Sequence, residues 1–143
     1  MSDQLHPKKV LMIDDDDMMR VLFRDTFWIH SAGDNLIEVI TMRNLAEAKE
    51  YLESAEAVPD AIFLGLWLLA PTRLGTKVRE TLPSLEFIKG LRQNTRYAKT
   101  PIVVYSRFGE AEFKDKAKEA GADHYLVKGE LTPREMVDFV ERL

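Results

Sequence analysis

Three kinds of polar residue in this sequence could act together on a phosphoryl group. Four consecutive aspartates, Asp14 to Asp17, directly follow the apolar run Val10 to Ile13, and Ser106 and Lys128 each follow a later apolar run. Carboxylates are the ligands that a hard divalent cation such as Mg2+ prefers, while a hydroxyl and an ammonium group can bind phosphate oxygens. The residue types therefore indicate a phosphate site, provided that the fold brings these segments together.

The composition restricts the class of protein. The chain has 143 residues, of which 45% are hydrophobic and 31% are charged, and this suits one globular domain with an ordinary core. Its formal net charge of −4 leaves no basic stripe for nucleic acid, and its longest apolar run is too short to cross a membrane. The absence of cysteine fits a reducing compartment. We therefore expect a cytoplasmic protein that binds neither nucleic acid nor membrane.

Five apolar segments predict the strands that position these polar residues. The first has no apolar and polar alternation, which is typical of a parallel strand buried on both faces. The predicted strands lie at residues 10–13, 36–42, 61–64, 102–105 and 124–127. A helix is predicted after each one, at about residues 16–30, 44–57, 83–94, 113–120 and 132–143.

Local signals support these helices. Met19, Leu22, Phe23 and Phe27 have the spacing of a buried helical face, and an aspartate before them can cap the helix. Capping pairs are predicted at Asn44 with Glu47 and at Thr132 with Glu135, and Gly121 stands where a helix would end.

The alternation of strands and helices predicts a doubly wound α/β domain with a five-stranded parallel sheet. In such a sheet the carboxyl ends of the strands share one edge, where ligands bind. The first, third, fourth and fifth strands end at the four aspartates, at Gly65, at Ser106 and at Lys128. We therefore expect these residues to converge although they are far apart in sequence.

Four motifs at the strand ends resemble those of two-component response-regulator receiver domains. They are VLMIDDDD, PDAIFL, PIVVYS and AGADHYLVK, in the family's order, and the resemblance covers residues 8–143. It implies a single CheY-like (βα)5 domain with strand order 2-1-3-4-5.

The resemblance also implies roles for single residues. Asp14 and Asp15 match the acidic pair that holds Mg2+, and Lys128 matches the lysine that contacts the phosphoryl group. Ser106 and Tyr125 match the two switch residues.

The chain departs from the receiver pattern at Gly65. The family's phosphate-accepting aspartate lies six residues after the proline of the PD pair, and six residues after Pro59 this chain has glycine, which offers no nucleophile. Asp60 begins the strand, about 15 Å from its far end at roughly 3.3 Å per residue. With this carboxylate missing we expect Mg2+ to bind weakly, and Lys128 could instead pair with Asp15 in place of the metal charge.

Two further departures flank the site. Residues 66–82 form a predicted loop, longer than the family's usual connection, that contains Trp67, Arg73, Lys77 and Arg79. This loop either folds over the pocket, forms a partner surface or is a solvated insertion without a role. Gly129 follows the lysine where the family usually has proline, so we expect a less rigid turn there.

The sequence thus favours a stand-alone pseudo-receiver of phosphorelay signalling, a monomer or weak dimer that is not an enzyme. Its expected partners are a histidine kinase, a phosphotransfer protein or another signalling protein. By resemblance, its contact face comprises residues 108–120 and 124–143. Two alternatives stay open. A receiver could be phosphorylated at Asp15 or Ser106, and Asp14 with Asp16 resembles the DxD motif of haloacid-dehalogenase-type phosphatases.

Overall fold

The computed structural model describes residues 8–31, 36–56, 58–71 and 77–143. Within these ranges it contains every predicted strand and helix, together with two short strands that the sequence did not predict. In chain order the elements are β1 (Lys8–Ile13), α1 (Asp17–His30), β2 (Ile37–Met42), α2 (Leu45–Ser54), β3 (Ala61–Leu64), β4 (Leu68–Pro71), β5 (Lys77–Glu80), α3 (Leu82–Gln93), β6 (Ile102–Ser106), α4 (Ala111–Ala120), β7 (His124–Val127) and α5 (Pro133–Glu141).

Five strands form one parallel sheet in the order β2-β1-β3-β6-β7. Counted within this sheet alone, the order is the predicted 2-1-3-4-5, and the α/β class is confirmed. The strand numbers differ only because β4 and β5 precede the fourth strand of the sheet. The register places Ile13, at the end of β1, beside Leu64, at the end of β3. The carboxyl ends of the two strands therefore lie side by side, as the site requires.

The predicted loop over residues 66–82 is wrong in part, because β4 and β5 form an antiparallel hairpin within it. Leu68 lies opposite Glu80, and Leu69 lies opposite Arg79. Strands of four residues are too short to show a period, and Leu68 is 4% exposed, so burial against the core stabilises this hairpin. Arg73, which the sequence analysis singled out, lies outside the described residues.

The side chains of the sheet alternate between two apolar layers. Leu11, Ile13 and neighbouring sheet residues contact the layer formed by α2, α3 and α4. Val10 and Met12 contact the layer formed by α1 and α5. Burial on both faces explains why the strands lack polar residues until they end. Among the described residues, no helix is both long and apolar enough to span a bilayer.

The start of β1 is attached to the end of α5. Lys8 Nζ donates hydrogen bonds to the carbonyl oxygens of Val140, Glu141 and Leu143 at 3.1, 2.9 and 2.9 Å. These carbonyls belong to the last turn of the helix and the residues after it, where backbone acceptors lack helical partners and a cation is favoured.

The predicted capping box begins α5. Thr132 Oγ1 accepts a hydrogen bond from the Glu135 amide at 3.2 Å, and Glu135 Oε1 accepts one from the Thr132 amide at 2.9 Å. Hydrogen bonds to its carboxylate, from the Thr132 backbone first and the Thr132 side chain second, lower the pKa of Glu135 below its ordinary value of 4.5. We expect Thr132→Ala to lower the free energy of unfolding by about 1 kcal/mol.

The pH dependence of this cap follows from the lowered pKa. Ionised Glu135 stabilises the folded state above its ordinary pKa, and this stabilisation is lost as the pH falls through the lowered value. Glu135→Gln should therefore be less stable than the native chain at neutral pH, and the difference should vanish in acid. Urea unfolding across this pH range measures it, and a difference that grows as the pH falls would contradict the assignment.

Candidate functional site

Asp14 forms a buried ion pair with Lys128 at the carboxyl edge of the sheet. The Asp14 side chain is 5% exposed, and its Oδ2 accepts a hydrogen bond from Lys128 Nζ at 2.6 Å. Its Oδ1 accepts a second bond from the Asp16 amide at 2.9 Å. Both oxygens of this carboxylate therefore have donors, which a buried charge requires.

The position of Lys128 is set by the end of β7. The Lys128 amide donates to the carbonyl of Ser106 at 2.7 Å, and its Nζ lies 5.7 Å from the ring centre of Tyr105. Burial, and secondarily the negative charge of Asp14, raise the pKa of Tyr105. The phenol therefore stays neutral beside the ion pair.

The backbone conformation of the turn after Lys128 explains why position 129 is glycine. Gly129 has a φ of 89°, which is closed to proline because its ring fixes φ near −65°. The turn is also closed by hydrogen bonds, since the Glu130 amide donates to the Val127 carbonyl at 2.9 Å and the Val127 amide donates to Glu130 Oε1 at 3.0 Å. These bonds restrain the turn although proline is absent.

Asp15 is held by an arginine from the hairpin. Arg79 Nη1 lies 2.9 and 3.0 Å from the two carboxylate oxygens of Asp15, and it also donates to the carbonyl of Trp67 at 3.2 Å. The predicted pairing of Lys128 with Asp15 is therefore wrong, because Lys128 pairs with Asp14 instead. The sequence did not place Arg79 because it lies 64 residues from Asp15 on an unpredicted strand.

The other two aspartates begin α1. Asp16 is the N-cap, and its Oδ1 accepts hydrogen bonds from the amides of Met18 and Met19 at 2.9 and 3.3 Å. Asp17 pairs with Arg20. The four adjacent carboxylates thus have different partners, and this relieves their mutual repulsion.

The space beside Gly65 is occupied by Leu68. A Cβ atom built on Gly65 would lie 3.0 Å from Leu68 Cδ2, closer than an ordinary van der Waals contact. The backbone of Gly65 is not in the left-handed region, so its conformation does not require glycine. The Gly65 amide donates to the carbonyl of Ile13 at 3.1 Å, and its carbonyl accepts from Ser84 Oγ at 3.0 Å. A side chain at this position would require Leu68 Cδ2 to shift by a few tenths of an ångström.

Ser106 and Tyr125 both contact the segment after β6. Ser106 is buried, and its Oγ accepts a hydrogen bond from the Phe108 amide at 3.2 Å, while the Tyr125 hydroxyl donates to the Phe108 carbonyl. Burial raises the pKa of Tyr125, and a hydrogen bond with Ser106 partly offsets this effect. The two predicted switch residues thus fix one loop.

A pocket of about 220 Å3 lies among these residues. The structure brings together every predicted site residue except Tyr125, which does not line the pocket. The predicted residues that do line it are Asp14, Asp15, Gly65, Ser106 and Lys128. The hairpin segment adds Trp67, Leu68 and Arg79 to the lining, so the described part of this segment borders the pocket.

The donor set does not fit a tight divalent-cation site. Asp14 and Asp15 each have a cationic side chain on their oxygens, and position 65 supplies no carboxylate. Across the described ranges, no group of three or more His, Cys, Asp or Glu residues is arranged to hold a metal ion. Mg2+ requires nearly ideal octahedral geometry and loses its water reluctantly. These residues thus fit weak binding, as the sequence predicted.

The sequence analysis missed an apolar stripe on the outer face of α1. Leu22, predicted to be buried, is 50% exposed, and Trp28 and Ile29 are 85% and 67% exposed. Only one of the two apolar faces of this helix packs on the sheet, through Phe23 and Phe27. The signal was present in the sequence, because apolar residues follow one another around α1 instead of keeping to a single face. The exposed stripe consists of Met18, Val21, Leu22, Trp28 and Ile29.

Comparison with known proteins was informative only through structure, because no protein-family model and no curated protein matches the sequence. The chemotaxis response regulator CheY4 of Vibrio cholerae is 26% identical, with a TM-score of 0.73 over 96% of this chain and 98% of that chain. The chain has the CheY-like receiver fold. The phosphorylated cyanobacterial phytochrome response regulator RcpA is 18% identical, with a TM-score of 0.71 over 96% of this chain and 91% of that chain. The Mn2+-bound form of response regulator Rcp1 is 21% identical, with a TM-score of 0.70 over 96% and 94%.

The buried ion pair of this receiver fold gives a direct prediction. Lys128→Met should lower the free energy of unfolding by about 3 kcal/mol, because it leaves the Asp14 carboxylate buried without its cation. Asp14→Asn combined with Lys128→Met should recover much of this loss, since no buried charge remains. Urea unfolding at neutral pH measures both effects.

A matched control is Lys116→Met, which removes a cation from an exposed pair with Glu112. Its cost should stay within about 0.5 kcal/mol. Equal costs for the two lysine variants would show that the Asp14 pair has no special importance.

Proposed function

We propose that this chain is a receiver-like signalling protein that accepts no phosphate and acts through contact with other proteins. The observation that carries this proposal is Gly65, which stands at the acceptor position with Leu68 filling the space beside it. The pocket retains Asp14, Asp15, Ser106 and Lys128, but position 65 has no carboxylate to attack a phosphoryl group.

No neighbouring aspartate is placed to accept a phosphoryl group instead of position 65. Asp60 lies at the opposite edge of the sheet, where its Oδ2 accepts a hydrogen bond from the Lys9 amide at 2.7 Å. Asp14 and Asp15 are each bound by a cation, which lowers their nucleophilicity. We therefore favour recognition without transfer over a receiver that uses Asp15 or Ser106.

The phosphatase alternative has no support from the geometry. Its DxD motif would use Asp16 as the acid and base, but Asp16 caps α1 through its Oδ1. The acidic residues after Lys128, which would have to complete a metal site, do not line the pocket. Glu130 and Glu135 are engaged in local backbone hydrogen bonds instead.

We propose a histidine kinase or phosphotransfer protein as the partner, in keeping with the receiver fold. The exposed stripe on α1 supports contact with a protein, since a contiguous apolar face on a small domain marks an interaction surface. Asp25 lies within this stripe on the helix, so a two-fold pairing of copies centred there would bring like charges together. We therefore favour a different protein as the occupant.

The face of α4, β7 and α5 stays the candidate for output, and we propose a cytoplasmic monomer.

The acceptor assignment is tested with acetyl phosphate and Mg2+. Intact-mass spectrometry should show no covalent phosphate on the native chain, because position 65 has no carboxylate. RcpA, which has been solved in its phosphorylated form, serves as the positive control. A gain of one phosphate would overturn the proposal. Loss of that phosphate on hydroxylamine treatment would place it on a carboxylate such as Asp15, and resistance would place it on a hydroxyl side chain such as Ser106.

The docking surface is tested with Trp28→Ser on α1. Because Trp28 is 85% exposed, the free energy of unfolding should change by no more than about 0.5 kcal/mol. Binding to a purified kinase or phosphotransfer partner should weaken at least about tenfold, as for a central aromatic contact. Leu82→Ser, at an apolar residue that is 58% exposed at the start of α3, is the matched control. Equal weakening by both variants would remove α1 as the surface.

A further inference from the structure

Side chains of the β4–β5 hairpin occupy two places in the pocket. One is the place where a metal ion would bind Asp15, and the other is the place beside the acceptor position. Arg79 lies on the carboxylate of Asp15, and Leu68 lies beside Gly65. This observation deepens the proposed function and rests on it. We propose that the hairpin is a built-in plug, in which Arg79 supplies one positive charge where a divalent cation would bind and Leu68 lies where an acceptor side chain would begin.

Asp14 and Asp15 place two negative charges side by side at the pocket. The side chains of Asp14 and Asp15 are 5% and 11% exposed, so two adjacent negative charges are largely removed from water. Such a pair needs nearby positive charge. Lys128 and Arg79 supply one charge each, and Arg79 Nη1 reaches both oxygens of Asp15. A divalent cation would have to compete with the guanidinium for the same oxygens.

Leu68 and Arg79 belong to one structural unit, the β4–β5 hairpin. The register places Leu69 opposite Arg79, so Leu68 and Arg79 come from neighbouring positions on paired strands. Arg79 Nη1 also donates to the carbonyl of Trp67, which precedes β4. The residue beside Gly65 and the residue on Asp15 therefore belong to one hairpin, and both line the pocket.

Trp67 links the plug to α4. The ring of Trp67 packs edge-on against Phe108 and Phe113, with ring centres 6.0 and 5.5 Å apart. Phe108 is also held by Tyr125 through its carbonyl, and Phe113 lies in the first turn of α4. The plug therefore fixes the segment that joins the pocket to the candidate output face. That face is held in one conformation without phosphate or metal.

The charge replacement is tested by titration with Mn2+. Trp67 reports binding through fluorescence quenching in a Trp28→Phe background, which removes the other tryptophan. Arg79→Gln should bind Mn2+ about fivefold more tightly than the parent, because the competing cation is gone. Arg79→Lys keeps a charge and should stay close to the parent. Arg43→Gln, which breaks an exposed pair with Glu47, is the control and should have no effect.

Two results would overturn the proposal that the hairpin is a plug. The first is an unchanged Mn2+ affinity in Arg79→Gln. The second is an equal increase of Mn2+ affinity in Arg79→Lys, because only the loss of the positive charge should raise the affinity. Arg79→Met preserves the aliphatic stem and repeats the test if the glutamine variant is unstable. These outcomes differ from failure of the proposed function, which would be covalent phosphate on the native chain whatever the affinity of the variants for Mn2+.

A second measurement tests the link to α4. Trp67→Ala should speed amide hydrogen exchange in α4 at least about tenfold, because the aromatic contacts that restrain its first turn are lost. Exchange in α1, which packs in the other apolar layer, should be unchanged and serves as the internal reference. Unchanged exchange in both helices would show that the plug does not reach the output face.

Discussion

The neutralisation of two adjacent buried carboxylates is the constraint on which the rest of this structure depends. A parallel sheet brings the ends of β1, β3, β6 and β7 to one edge, and this places Asp14 and Asp15 where water is largely excluded. Charges in that setting require counter-charges with good geometry. Lys128 supplies one from the end of β7, and Arg79 supplies the other from the hairpin. The connections at this edge position these two cations.

This solution bears on what the pocket can bind. Arg79 lies on the Asp15 carboxylate that a metal would bind, and Leu68 Cδ2 lies 3.0 Å from the point where a side chain at position 65 would begin. The loop after β6 is nevertheless attached to the pocket through Ser106, and to the hairpin through Trp67. The pocket, the loop after β6 and the hairpin segment are thus joined by direct contacts.

Most of the fold could be predicted because its signals are local. Apolar runs marked the strands, and short-range hydrogen bonds at Asn44 and Thr132 marked the starts of α2 and α5. The meeting of Asp14, Ser106 and Lys128 followed from the parallel sheet, since the carboxyl ends of its strands must share an edge.

What escaped the sequence depends on tertiary contacts. The strands of the hairpin are too short for a period to appear, and the partner of Asp15 lies 64 residues away. The second apolar face of α1 was visible in composition, yet residue type alone does not show which of two faces the sheet covers. The partner of Lys128 was misassigned for a similar reason, because neighbouring aspartates have the same chemistry and only the folded geometry distinguishes them.

The central claim is our proposal that Arg79 and Leu68 lie in this pocket where a receiver would bind its cation and carry its acceptor side chain. Nitrogen-15 NMR of the Asp15 and Gly65 amides, recorded while Mg2+ and then acetyl phosphate are added, tests it most directly. The account predicts small, non-saturating shifts with Mg2+ and no new set of signals with acetyl phosphate. Saturable shifts at both amides, followed by a second set of signals from a phosphorylated state, would contradict it.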